Sequence, residues 1–149
     1  MSDAEAGTQA AALDYANDYH LKVPFAKHLG FVIDDLQPGI ARMSCVLHDH
    51  MTNSWGTAHG GVIMTMLDVC LCMAARTLHP DSAGVMTIDL STVFIDAGTS
   101  PLKAEARVLR NGRSLIFAEG EVRNADGALV AKAQGTLRAR QPAGKAPAK

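Results

Sequence analysis

Hydrophobic and polar positions divide the chain into two regimes. From Val62 to Leu78 the sequence VIMTMLDVCLCMAARTL is apolar on nearly every side. That predicts a long helix wrapped by other structure. Beyond it the period changes to two. Met86, Ile88, Leu90 and Phe94 are apolar between Val85 and Ile95, where several odd positions are polar. Leu102, Ala104, Ala106 and Val108 alternate with Lys103, Glu105 and Arg107. Ser114 to Asn124 is the next strand, and Leu129, Ala131, Ala133 and Leu137 then alternate with Lys132, Gln134, Thr136 and Arg138. Alternation of this kind predicts strands with one buried face. Asn111-Gly112 and Asp126-Gly127 are hairpin signals, so the four strands read as a meander.

The first half is shorter in its elements. Leu13, Ala16 and Tyr19 share a helical spacing between Leu13 and Lys22. Pro24 opens a helical turn through Leu29, and Gly30 is placed to end it. Phe31 to Leu36 and Ile40 to His48 read as strands joined by Gln37-Pro38-Gly39, with Pro and Gly at the two central turn positions. Asp49 to Ala58 is a loop, and Pro80 closes the long helix. The expected units are a tail over 1–23, one domain over 24–138, and a disordered Pro/Ala/Lys tail over 139–149. An antiparallel sheet with one long helix to cover it is an α+β fold. Because the helix is apolar even on the side a sheet cannot reach, a second copy of the chain is expected against it.

A net charge of −1 gives no electrostatic case for nucleic acid or an anionic membrane. Asp68 and Arg76 within the long helix, and the strands after it, argue against a membrane span. The three cysteines, Cys45, Cys70 and Cys72, suit buried thiols in a reducing, cytoplasmic compartment. The acidic N-terminal segment has no basic stretch before an apolar core and does not read as a signal peptide.

The chemistry concentrates at Asn53-Ser-Trp-Gly-Thr-Ala-His59-Gly60-Gly61 and the helix after it. The two glycines open the helix, where free N–H groups and the positive dipole end favour developing negative charge. Asp68 is a carboxylate on an apolar helix, costly unless partnered or beside a wet cavity. Its structural alternative is an ion pair with Arg76, which eight residues of separation disfavour. Asn53 has the alternative of bonding its own loop. His48-Asp49-His50 invites a metal, but no third ligand is apparent and none is expected. Cys70 and Cys72 lack an activating neighbour and read as core.

The pattern Asn53-x-x-Gly56-x-x-His59-Gly60-Gly61, followed by Leu67-Asp68, Thr87-Ile88-Asp89-Leu90 and Asn111-Gly112-Arg113-Ser114, resembles the hotdog-fold acyl-CoA thioesterases of the phenylacetic-acid-degradation (PaaI-like) type. The resemblance spans about residues 24 to 138 and implies an antiparallel sheet wrapped around a long central helix. It implies hydrolysis of an acyl-CoA thioester, with no cofactor beyond the coenzyme A of the substrate. Asn53 and the Gly60 N–H would bind the thioester carbonyl. Asp68 would activate water or attack directly, Thr87 would position the water, and His59 would support the turn. Gly61, Arg110, Gly112, Arg113 and Ser114 would lie on the substrate and CoA side.

Eight residues of helix separate Gly60 and Asp68, about 12 Å. One carbonyl cannot be served by both from a single chain. A composite site in a homodimer follows, and the resemblance implies pairing into a homotetramer. The apolar lining suggests an aromatic or medium-to-long acyl group. Two other readings compete. A hotdog hydratase or dehydratase would use a His with Asp or Glu in motifs not found here. A non-catalytic acyl-CoA-binding protein would bind without turnover.

Overall fold

The computed structural model describes residues 23–141, so the helical spacing between Leu13 and Lys22 lies outside the described residues. Helix α1 (Pro24–His28) starts with Pro at its first position. It ends as the sequence predicts: Gly30 takes φ +65°, and the Gly30 and Phe31 N–H groups donate to the carbonyls of Lys27 and Ala26. Strands β1 (Val32–Gln37) and β2 (Ile40–Cys45) flank the predicted turn, with Gly39 at φ +76°. Strand β2 stops at Cys45 rather than His48. Its ladder partner there is Leu102, and Pro101 before it has no N–H to continue the pairing. The Leu47 N–H turns to Ser100 Oγ instead, at 3.1 Å, and a 3₁₀ turn follows at Asp49–Met51.

Helix α2 (Gly60–Arg76) begins two residues earlier than the apolar run, with both glycines inside it and His59 as N-cap. It is followed by β3 (Gly84–Phe94), β4 (Leu102–Asn111), β5 (Ile116–Asn124) and β6 (Leu129–Arg140). Strand β6 therefore continues through Ala139 and Arg140, two residues past the expected boundary. All pairs are antiparallel, and the sheet order is β1-β2-β4-β5-β6-β3.

That order corrects the four-strand meander. Only β4, β5 and β6 form one; β3 lies at the far edge beside β6, and β4 pairs with β2. The connection from β3 to β4 crosses the end of the sheet. It is held by the buried Asn124, whose side chain accepts from Thr99 N–H at 2.7 Å and donates to the Ala97 carbonyl at 3.0 Å. The alternation on β4 and β6 sorts as predicted, with Leu102, Ala104, Ala106, Ala131, Ala133 and Leu137 buried. On β3 it does not. A bulge between Thr87 and Asp89 shifts the phase. It turns Thr87 and Leu90 inward and leaves Met86, Ile88, Val93 and Phe94 between 45% and 61% exposed.

The sheet curls around α2, whose Ile63, Met66, Leu67, Cys70, Leu71 and Ala74 are buried against it. The approach is closest at Leu71. A Cβ on Gly120 or on Gly135 would meet its methyls at 2.8 Å, with the carbonyls of Glu105 and Asp89 at 3.1 and 3.2 Å behind. Among the described residues no helix is long and apolar enough to cross a membrane. Gly120→Ala should overpack this contact and lower unfolding free energy by about 1–3 kcal/mol. Urea titration of Gly120→Ala, Leu71→Ala and the double variant checks it. The double variant should lose less than the sum of the singles, since Leu71→Ala vacates the space that the new methyl needs.

Candidate active site

The site residues fall in three groups along α2. At its N-terminal end, the loop Thr52–Ala58 is closed by an isolated bridge between those two residues. Asn53 fills it. Its Oδ1 accepts from the N–H groups of Trp55 (2.9 Å) and Thr57 (3.2 Å), and its Nδ2 reaches Thr57 Oγ1 (3.0 Å) and the Ala58 carbonyl (3.4 Å). Both amide protons are thus committed to the loop, as Asn commonly does. Gly56, at φ +74°, completes the turn, and Trp55 stands 85% exposed at its tip.

His59 caps the helix. Its Nδ1 accepts from Gly61 N–H at 2.9 Å, which requires the neutral tautomer protonated on Nε2. A Cβ on Gly61 would lie 3.0 Å from that nitrogen, so any other residue there would crowd the capping imidazole. Gly60 keeps its N–H without a partner among the described residues. The Phe94 ring edge lies 3.4 Å from where a Gly60 Cβ would stand. One donor is therefore left open at the positive end of a 17-residue helix.

The second group lies in the middle of α2. Asp68 is half-buried on the less covered stripe of the helix, beside β3, with Gly61 and Met64 exposed and Cys72 half-buried along it. Thr87 Oγ1 donates to Asp68 Oδ1 at 2.5 Å, because the β3 bulge aims Thr87 inward. Thr87, reached from the sequence only by resemblance, thus stands against Asp68. Asp68 Oδ2 has no hydrogen-bond partner among the described residues.

The third group is at the opposite end of the helix. Arg110, Arg113 and Ser114 are exposed around the β4–β5 connection. That connection is a four-residue loop, 112–115, and not a two-residue Asn-Gly turn. Asn111 pairs with Ile116, no residue of the loop takes positive φ, and Gly112 N–H donates to the Leu115 carbonyl at 3.0 Å. A Cβ on Gly112 would lie 2.7 Å from that carbonyl oxygen, which excludes other residues. Asn111 Oδ1 and His79 Nε2, 2.7 Å apart, tie the loop to the segment after α2. A recess of about 370 Å³ beside it is lined by Gly39, Leu78, Arg107, Leu109 and Arg110. A larger recess, about 440 Å³, lies on the outer face of the sheet. It touches no predicted site residue, and its charges are paired, Arg107 with Glu119 and Lys132 with Glu121.

Two further clusters answer questions raised by the sequence. His48 and His50 stack at 5.8 Å with a 5° interplanar angle, and His28 of α1 approaches His50 at 5.6 Å. No group of three His, Cys, Asp or Glu side chains among the described residues is arranged to hold a metal ion. Cys70 is fully buried and donates toward the Ala41 carbonyl at 3.4 Å, as a core residue would, and burial pushes its thiol up. Cys72 differs: its Sγ lies 3.3 Å from Thr87 Oγ1.

Residues 56–131 match the family model of the thioesterase superfamily. The chain belongs to the thioesterase superfamily. A protein of Saccharolobus solfataricus that carries an esterase name is 33% identical over 111 residues, covering 74% of this chain and 79% of that one. Human acyl-coenzyme A thioesterase 13 is 28% identical over 102 residues, covering 66% and 72%. A thioesterase family protein from Silicibacter pomeroyi superposes with a TM-score of 0.82 at 26% identity, covering 88% of this chain and 99% of that one. The PaaI protein of the Escherichia coli phenylacetic acid degradation operon superposes at 0.80 with 21% identity, covering 88% and 94%, and shares the fold. The fold of this thioesterase-superfamily chain is the hotdog fold, and the superfamily and esterase names support a hydrolase.

Two residues of this superfamily member were invisible as neighbours in the sequence. Cys72 follows Asp68 by four positions, one helical turn, but its contact runs through a strand. Arg138 reaches the hairpin end by strand register: Arg110 opposes Phe117, which opposes Thr136, two residues before it. Arg110, Arg113 and Arg138 have no acidic partner among the described residues, whereas Arg42, Arg107 and Arg123 are each paired. The cap at His59 should be measurable by itself. His59→Ala is expected to cost about 1 kcal/mol in urea unfolding, and His59→Asn, a good capping residue, to recover most of it.

Proposed function

We propose that this chain hydrolyses acyl-CoA thioesters, with Asp68 and Gly60 as the reacting pair. The observation that carries the reading is the half-buried Asp68 carboxylate, held by Thr87 through one oxygen and open at the other. The thioester carbonyl oxygen would lie on the Gly60 N–H, where the helix end stabilises the charge of a tetrahedral intermediate. Asp68 Oδ2 would take a proton from the attacking water, or would itself attack the carbonyl carbon. On the water route, collapse of the intermediate breaks the C–S bond, and the proton held by Asp68 neutralises the departing CoA thiolate. On the direct route, collapse leaves an acyl–Asp68 anhydride, which water hydrolyses to the free acid and the Asp68 carboxylate, with one proton of that water going to the thiolate. His59 and Asn53 shape the turn that presents Gly60.

Gly60 and Asp68 are both within one continuous helix, about 12 Å apart. The site is therefore assembled between two copies, Gly60 from one and Asp68 from its partner. Support comes from the outer edge of β3. It is an edge strand of 11 residues carrying exposed Met86, Ile88, Val93 and Phe94, with no strand beside it among the described residues. Coenzyme A as the carrier is supported by the unpaired Arg110, Arg113 and Arg138, which suit phosphate recognition, and by the name of the human relative. Met64 and Phe94 beside the open face favour an aromatic or medium-to-long acyl group.

Asp68→Asn should lower turnover of acyl-CoA by about 10²–10⁴-fold while the fold is retained, read as free-thiol release over aromatic and straight-chain substrates. Wild-type rates in that variant would reject the assignment. Binding of acyl-CoA without turnover in the wild type would point to a non-catalytic role.

Gly60→Pro removes one N–H at a position whose preceding residue already has φ −63° and ψ 136°. A loss of about 10²–10³-fold is expected. Mixing and reassorting Gly60→Pro with Asp68→Asn protomers should restore about a quarter of wild-type activity, since each mixed dimer holds one intact composite site. No recovery in verified mixed dimers would place the whole site in one chain.

A further inference from the structure

Three polar side chains of one chain stand in line. Thr87 Oγ1 donates to Asp68 Oδ1 at 2.5 Å and lies 3.3 Å from Cys72 Sγ. Asp68 and Cys72 are one helical turn apart, so both meet the same residue of β3. The hydroxyl has a single proton, and an ionised carboxylate can only accept. That proton therefore goes to Asp68. What Thr87 Oγ1 has left for Cys72 is a lone pair, so the thiol is the donor. Burial, the largest cause, pushes the Cys72 thiol up to about 11, which keeps the S–H intact through the neutral range.

We infer that Cys72 is a positioning residue: its thiol donates to Thr87 Oγ1 and holds the Thr87 hydroxyl as a donor to Asp68. Thr has staggered χ1 alternatives, and rotation to another would carry Oγ1 away from the carboxylate. The second hydrogen bond selects the rotamer that keeps it there. Asp68 is then oriented through Oδ1, and Oδ2 is presented to the reacting water. The role rests on the hydrolytic reading of Asp68, while the order of the hydrogen bonds does not.

The test is a series of wild type, Cys72→Ala, Cys72→Ser, Thr87→Val and the Cys72→Ala/Thr87→Val double variant. It is read by acyl-CoA kinetics, thermal midpoint and the infrared S–H stretch. Cys72→Ala should lower kcat by about 3- to 10-fold with KM little changed. Cys72→Ser, which restores a donor, should recover most of that loss. In the Thr87→Val background, Cys72→Ala should change kcat by less than about 2-fold. The difference spectrum between wild type and Cys72→Ala isolates the Cys72 S–H band, which should move to higher frequency in Thr87→Val as the acceptor is removed.

A band that Thr87→Val does not move overturns the inference, whatever the protein hydrolyses. So does wild-type kcat in Cys72→Ala, or an equal loss in the alanine and serine variants at matched thermal midpoints. If the band moves but Asp68→Asn turns over at the wild-type rate, the hydrogen-bond order stands and the hydrolytic reading of the site fails.

Discussion

Leu71 rests on the backbone of β5 and β6 at two residues without side chains, Gly120 and Gly135. That contact sets the distance between the helix and the sheet, and much else follows from it. A helix pressed this far into a curled sheet buries most of its circumference. The stripe through Gly61, Met64, Asp68 and Cys72 is left less covered, beside the edge strand β3. The carboxylate therefore has one environment open to it. It sits on the less covered stripe and takes its hydrogen bond from the inner end of β3, where a bulge turns Thr87 toward the helix. A Cβ at either glycine would push the helix outward and with it the Asp68–Thr87 alignment.

The two edges of the sheet are treated differently. Strand β1 carries Asp34, Asp35 and a bulge, and Asp35 is tied by Arg42 to Glu105 across β2. Charge and irregularity of that kind keep an edge from pairing with another chain. Strand β3 also carries a bulge and an exposed Asp89, but it is longer and has Met86, Ile88, Val93 and Phe94 exposed along it. A long edge with exposed apolar side chains beside a less covered helical stripe, both at the element that bears Thr87, is an arrangement that suits a dimer interface. On the proposed reading, the surface that needs a partner for burial is also the one that needs it for chemistry.

The elements of this fold were legible where local chemistry decides them. Gly30, Pro38-Gly39 and Pro24 set their turns and caps by backbone constraint alone, and the alternation on β4 and β6 follows from one buried face. What failed is non-local. The position of β3 beside β6 depends on Asn124 holding a crossover, and no hairpin signal encodes that. The phase of β3 was misread because a bulge is one extra residue in a strand whose apolar positions still alternate. The hairpin at Asn111-Gly112 is present, but its loop is longer than the dipeptide suggests, because Gly112 is there for closeness to the Leu115 carbonyl and not for a positive φ. Of the site, the helix end and Asp68 could be read directly. Thr87 came by resemblance, and Cys72 and Arg138 required the register of strands.

An account of hydrogen-bonding capacity separates the groups that hold the site from those free to react. Asn53 and His59 have the residue types of catalysis, but the Asn53 side chain is committed to its loop and His59 Nδ1 to Gly61 N–H. Asp68 Oδ1 is taken by Thr87. Among the described residues, the polar atoms left without a partner near the less covered stripe include the Gly60 N–H, a donor at the positive end of a dipole, and Asp68 Oδ2, an acceptor on a half-buried carboxylate. An acyl transfer to water needs one donor for the carbonyl oxygen and one acceptor for the proton of water. The Gly60 N–H and Asp68 Oδ2 are one of each. The rigid helix that supplies both also keeps them apart, which is why the reaction proposed for this chain belongs to two copies of it.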